Sequence, residues 1–111
     1  MDLNLHTRAV GDASVVAASG ELDLVTAPEL RAFFIDLISA GSRKLVFDMS
    51  VVVFFDSTAL GALLGCLKRV RTDDGWLRLA ELQPQVLKLF EITGLTETFG
   101  IYPTVDDALA G

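Results

Sequence analysis

Val51-Val52-Val53-Phe54-Phe55-Asp56-Ser57-Thr58-Ala59-Leu60-Gly61-Ala62-Leu63-Leu64-Gly65-Cys66-Leu67 is the most apolar stretch of the chain, and only Asp56-Ser57-Thr58 breaks it. Three adjacent polar residues between two apolar runs do not suit a core. They suit the junction where a strand gives way to a helix, because the first helical N–H groups lack intrahelical partners and a short polar side chain can accept from them. A phosphate also sits well at such a junction. Neither apolar flank reaches the ~18 to 20 residues that a membrane-spanning helix needs. The stretch therefore predicts the interior of an α/β domain rather than a membrane segment.

The residues around it repeat the alternation of strand and helix. Leu3, Leu5 and Thr7 alternate with Asn4, His6 and Arg8 as a half-exposed edge strand, Gly11-Asp12 turns the chain, and Val15 to Ala18 gives a second strand ending near Gly20. Thr26-Ala27-Pro28-Glu29 predicts a capping box with Pro in the first turn. Leu30, Phe33, Phe34, Leu37 and Ile38 then form one apolar helical stripe that Gly41 closes. Lys44 to Asp48 predicts a central parallel strand. A second helix starts at Asp56 or Ser57 and places Leu60, Leu63, Leu64 and Leu67 on one face, with Lys68, Arg69 and Arg71 in its last turns, where cations complement the dipole. Trp76 to Ala80 alternates as a strand. Gln83-Pro84 opens a third helix with Val86, Leu89 and Phe90 inward and Gly94 beyond it. Phe99 to Tyr102 is a short strand, and Thr104 with Asp107 caps a small last helix. The order β-β-α-β-α-β-α-β-α predicts one domain over residues 1–111. It is α/β, with a mixed, mostly parallel sheet of about five strands and about four helices mainly on one face. The first two strands form a hairpin at its edge.

Composition excludes several classes. A chain of 111 residues that is 51% hydrophobic makes one well-cored domain. A net charge of −6 argues against general nucleic-acid binding, which needs clustered Lys and Arg. With one Cys and one His, a disulfide and a Cys/His zinc site are excluded, and no cofactor or metal is expected. Cys66 reads as a small buried hydrophobe and His6 as a solvent-facing residue. Met1-Asp2-Leu3-Asn4-Leu5-His6 has neither a basic leader nor an apolar signal segment, so cytoplasmic residence is expected.

Gly20-Glu21-Leu22-Asp23 followed by Thr26-Ala27, then Asp48 and Phe54-Phe55-Asp56-Ser57-Thr58-Ala59-Leu60-Gly61, then Ile92-Thr93-Gly94-Leu95, resemble in order and spacing the STAS-domain anti-sigma factor antagonists. The resemblance covers nearly the whole chain. It implies a non-enzymatic protein whose unphosphorylated form binds an anti-sigma factor with serine kinase activity and so frees a sigma factor. It implies Ser57 as phosphoacceptor, with Asp56, Thr58 and Asp23 supporting the phosphosite and a serine phosphatase reversing the modification. It also implies a partner surface of Glu21, Asp23, Ser57, Thr58, Ala59, Gly61 and Ala62. Three residues depart from the family pattern. Ala59 replaces a usual glycine, and Val51 and Val53 stand where small or polar residues are common, making this loop more apolar through either tighter burial or a greasier contact surface.

Each of these residues has a plainer reading. Ser57 suits a helix cap, Asp56 a structural cap or turn residue, and Glu21 and Asp23 solvated acids. Ala59, Ala62, Cys66 and Arg69 recur at helical spacing on a face that either receives a partner or is buried within the domain. Three other functions fit the residues less well. A serine hydrolase lacks G-x-S-x-G and a suitable histidine base. A phosphoaspartate receiver-like domain using Asp56 would need a further acidic pair near the first strand, which Asp12 and Glu21 do not form, and a lysine on a later strand. A nucleotide-binding module lacks the G-x-x-x-x-G-K-[ST] loop.

Overall fold

Alternating apolar residues and a glycine able to take a positive φ make the first hairpin. In the computed structural model, which describes residues 3–111, β1 (Leu3–Val10) and β2 (Ala13–Leu22) pair antiparallel across Gly11, whose φ is +61°. Met1 and Asp2, which belong to the expected domain and begin the segment read for a leader, lie outside the described residues. After the hairpin come α1 (Ala27–Ser39), β3 (Lys44–Phe55), α2 (Ser57–Thr72), β4 (Trp76–Ala80), α3 (Pro84–Ile92), α4 (Thr96–Phe99), β5 (Ile101–Tyr102) and α5 (Val105–Ala110). The sheet runs β1-β2-β3-β4-β5, and every pairing after the first is parallel. The fold is the mixed, mostly parallel α/β domain that the sequence predicts.

Strand periodicity divides the apolar residues between two faces. Val16, Phe47 and Leu79 face Leu30 and Phe34 of α1, Leu63 of α2 and Phe90 of α3. On this face the Phe34 and Phe47 rings meet edge to face, 5.2 Å between centroids. On the other face Val15, Val46 and Ala80 meet Val105 and Ala108 of α5. Arg78 fastens α5: its guanidinium lies 3.7 Å above the Trp76 ring centre and donates to the Ala108 carbonyl at 2.9 Å. Between α2 and β4, Gly75 admits no side chain, because a Cβ there would collide with the Arg43 carbonyl oxygen and lie 2.6 Å from Val70 Cγ2.

The structure corrects four expectations. The central strand does not stop at Asp48 but runs to Phe55, so Val51 and Val53 lie on a strand and not in a loop. Asp48 and Ser50 do not end it, because β2 pairs alongside through two register shifts at which β3 carries the extra residues. The polar groups at the first shift are satisfied: the Ser50 N–H donates to Asp48 Oδ1 at 3.0 Å, and Gln83 Nε2 donates to the Ser50 carbonyl at 2.6 Å. The described residues form five helices, since Thr96–Phe99 forms an added turn that buries Phe99 against Phe90 and leaves only Ile101–Tyr102 as strand. Finally, Thr26 makes no capping box with Glu29; its hydroxyl points back to the β2 end and donates to the Glu21 carbonyl at 2.7 Å.

Candidate functional site

β2 and β3 are parallel neighbours, with Glu21 beside Phe54 and Leu22 beside Phe55. The residues that follow, Asp23 and Asp56, therefore leave the sheet side by side, and the Asp56 N–H donates to the Leu22 carbonyl at 3.1 Å. This pairing joins two segments more than thirty positions apart.

Asp56, not a hydroxyl, is what meets the helix start. With extended backbone it is the N-cap of α2, and its Oδ1 accepts from the Thr58 and Ala59 N–H groups at 2.9 and 3.0 Å. Ser57 is thereby relieved of capping and opens the helix exposed to solvent. Asp56→Ala is expected to cost about 1–2 kcal/mol, measured by urea unfolding, whereas Asp56→Asn keeps most of the stability because its carbonyl oxygen still accepts.

The neighbouring turn is built on the same principle. Asp23 Oδ1 accepts from the Val25 and Thr26 N–H groups at 2.9 and 3.0 Å, and the buried Thr26 hydroxyl accepts from the Asp23 N–H at 3.0 Å. The Thr26 N–H bond, above all, holds the Asp23 carboxyl below its ordinary range. Both aspartates thus spend their charge on backbone donors while fixing the two turns that flank Ser57.

Leu24 (71% exposed) and Val25 (76%) lie uncovered in the second of these turns, and Val51 (57%), Val53 (59%) and Phe54 lie uncovered on the stretch of β3 that leads to Asp56. Of the two readings open for the valines, the structure gives the greasier surface. Leu24 and Val25 were missed, although two large apolar residues inside a turn bounded by Asp23 and Thr26 are a readable signal.

The remaining candidates divide. Thr58 and Gly61 are exposed and Ala62 and Glu21 half-buried, so all four present surface. Ala59 is fully buried, so it is removed from the expected contact surface; its methyl packs within the domain. Cys66 is also buried, and burial pushes its thiol up to about 11, leaving it protonated and inert at neutral pH. A phosphate bound at the α2 N-terminus would compete with Asp56 for the same N–H groups, which weighs against the nucleotide alternative. Among the described residues no cluster of His, Cys, Asp and Glu is suited to a metal ion, and no helix is long and apolar enough to cross a membrane.

A mixed five-stranded sheet that presents an uncommitted serine hydroxyl at the start of its second helix, beside a fixed β2–α1 turn and within an apolar rim, defines an α/β domain of the STAS type. The STAS domain model matches residues 4–108, and the chain belongs to that family. It is similar to the anti-sigma-B factor antagonist of Staphylococcus aureus, with 34% identity over 97 residues, 87% of this chain and 90% of the relative. It is similar as well to the crystal structure of an anti-sigma factor antagonist from Mycobacterium paratuberculosis, at 32% identity and TM-score 0.89, covering 98% of this chain and 92% of the other. The Bacillus cell fate determinant SpoIIAA in its phosphorylated form shares the fold, with 23% identity and TM-score 0.75 over 96% of this chain and 97% of that one.

Proposed function

We propose that this protein is an anti-sigma factor antagonist that works by switching partners. Its unmodified form binds an anti-sigma factor that is also a serine kinase, and a sigma factor is released. Phosphorylation of Ser57 ends the binding, and a serine phosphatase restores it. The single observation that carries this reading is an exposed Ser57 hydroxyl, excused from capping by Asp56, beside Thr58, which shares a groove with the exposed Leu24. Antagonists named as such among its relatives supply the class of partner, and a phosphorylated protein of the same fold is consistent with the switch.

The chemistry asked of this chain is small. The kinase brings the phosphoryl donor and the base; the antagonist brings a hydroxyl that is reachable, correctly placed and not already donated. The modification adds roughly −1.5 to −2 charges, next to Asp56 and near Asp23, whose Oδ1 atoms accept from backbone N–H groups. The ion pairs among the described residues lie elsewhere: Lys44 pairs with Asp12, and Arg43 and Arg69 with Asp73. A dianion on the exposed Ser57 is hydrated in the free protein, and a partner that covers it has to strip that water away.

The test is phosphate mapping by mass spectrometry after incubation with the cognate kinase and ATP. Label on Ser57, lost in Ser57→Ala, is the expected result. Label elsewhere with Ser57→Ala still fully modified removes Ser57 from its role and passes it to Thr58 or beyond.

A further inference from the structure

A groove of about 860 Å³ lies between α1 and α2 and runs away from the Ser57 corner. Its floor is Gly61, Ala62 and Gly65 of α2, its apolar walls include Leu24 and Ile35, and Thr58 closes the end nearest Ser57. The floor is low because it lacks side chains: a Cβ on Gly61 would meet nothing within 4 Å, and one on Gly65 would meet only Arg31 Nε, at 4.0 Å. The wall runs along α1 from Pro28 to Asp36, about 12 Å at 1.5 Å per residue, which is the length of about two turns of a partner helix.

Charge sets the groove apart from the rest of the molecule. The chain as a whole carries −6, yet the groove is lined by two arginines and one acid, Arg31, Arg69 and Asp36. Arg69 is engaged, with Nε 3.8 Å from Asp73 Oδ2. Arg31 is exposed and makes no ion pair or side-chain hydrogen bond among the described residues. Its Nε lies 4.0 Å from where a Gly65 Cβ would stand, so an unpaired guanidinium borders the glycine floor, ready for a carboxylate.

We propose that this groove is the second half of the partner surface and that it receives an acidic amphipathic helix of the anti-sigma factor, with apolar side chains on Leu24 and Ile35 and a carboxylate on Arg31. The proposal rests on the function proposed above and deepens it. Leu24 belongs both to the apolar rim and to the groove wall, so one continuous surface joins the hydroxyl that switches binding to the groove that selects the partner. Gly61 and Gly65 let the helix backbone come close, and Arg31 reads its charge.

The experiment uses the purified serine kinase that modifies Ser57 and measures its dissociation constant for the full chain by calorimetry at several salt concentrations, together with KM and kcat for Ser57 phosphorylation. Arg31→Glu and Gly65→Leu are each expected to weaken binding by about tenfold or more, with KM raised and kcat kept. Gly65→Ala, which adds one methyl with room for it, is expected to stay within about twofold. Arg31→Gln is expected to flatten the salt dependence, which a purely structural role of Arg31 would leave unchanged. Binding by Arg31→Glu and Gly65→Leu within about twofold of the parent overturns the groove assignment while Ser57→Asp still tests the switch independently. A dimer of this chain that Gly65→Leu abolishes would give the groove to a second copy and also overturn it. Should no serine kinase modify Ser57 or bind the unmodified chain, the Ser57 reading and the groove assignment fall together. Unchanged thermal unfolding of each variant shows that a loss of binding is local.

Discussion

Ser57→Asp is expected to lose about tenfold or more of its affinity for the anti-sigma factor, and stoichiometric phosphorylation of Ser57 about a hundredfold or more, since each 1.4 kcal/mol is a factor of ten and unfavourable charge at a buried contact costs several kcal/mol. Ser57→Ala should bind as well as the parent, because the hydroxyl makes no hydrogen bond that holds the domain together. Capping belongs to Asp56, whose Oδ1 already takes the Thr58 and Ala59 N–H groups. For the same reason the domain should tolerate the negative charge. The carboxylate introduced by Ser57→Asp, or the phosphate on Ser57, would still profit from the α2 dipole by roughly 0.3–1 kcal/mol, offset by its carboxylate neighbour Asp56, so the melting temperature should move by no more than about 4–8 °C. Calorimetric titration of the partner into the three forms, with melting curves alongside, checks both halves. Equal affinities for all three would end the charge-controlled switch.

Phe47→Ala is expected to show the largest loss of stability in the chain, about 3–5 kcal/mol. Phe47 is fully buried in the middle strand of the sheet, and its ring meets Phe34 of α1 edge to face. Its removal opens a cavity that β2 and β4, paired on either side at Val16 and Leu79, prevent from collapsing. Against a typical total of about 5–15 kcal/mol, such a loss leaves a marginal domain, which urea unfolding at 25 °C measures directly. Because β3 also delivers Asp56 and Ser57 to the surface, this variant should bind its partner only to the extent that it remains folded. That separates it from Ser57→Asp, which should be folded and not bound.

Both predictions draw on features that were legible to different degrees. The helices and strands near the sheet centre could be read because their apolar residues recur at the spacing of one buried face: Leu30, Phe34 and Ile38 on α1, and Leu60, Leu63 and Leu67 on α2. The extent of β3 could not, because Asp48 and Ser50 look like the end of a strand. Their polar groups are satisfied by a register shift and by Gln83, thirty-three positions from Ser50. The α4 turn was hidden in the same way, since Thr96 to Phe99 has too few residues to show a helical period, and only the packing of Phe99 on Phe90 fixes it.

Within the site, the order of residues was enough to single out Asp56 and Ser57, because a cap and a hydroxyl are local chemistry, whereas Asp23 was singled out by the family resemblance. Local chemistry did not say which of Asp56 and Ser57 does the capping. The longer reach of a carboxylate on extended backbone settles that in favour of Asp56 and leaves the serine free. Nor did it show that Ala59 is inside and Val53 outside, since burial depends on what the rest of the chain places overhead.

The linear sequence thus determined a single α/β domain and a hydroxyl at the start of its second helix, because both follow from periodicity and from the unmet N–H groups of a helix end, which are short-range properties. Tertiary structure decided that the Asp23 turn stands beside the start of α2, that Leu24 and Val25 in that turn stay uncovered, and that Arg31 borders a glycine floor. Each of these depends on residues distant in sequence, which only strand register and helix packing place.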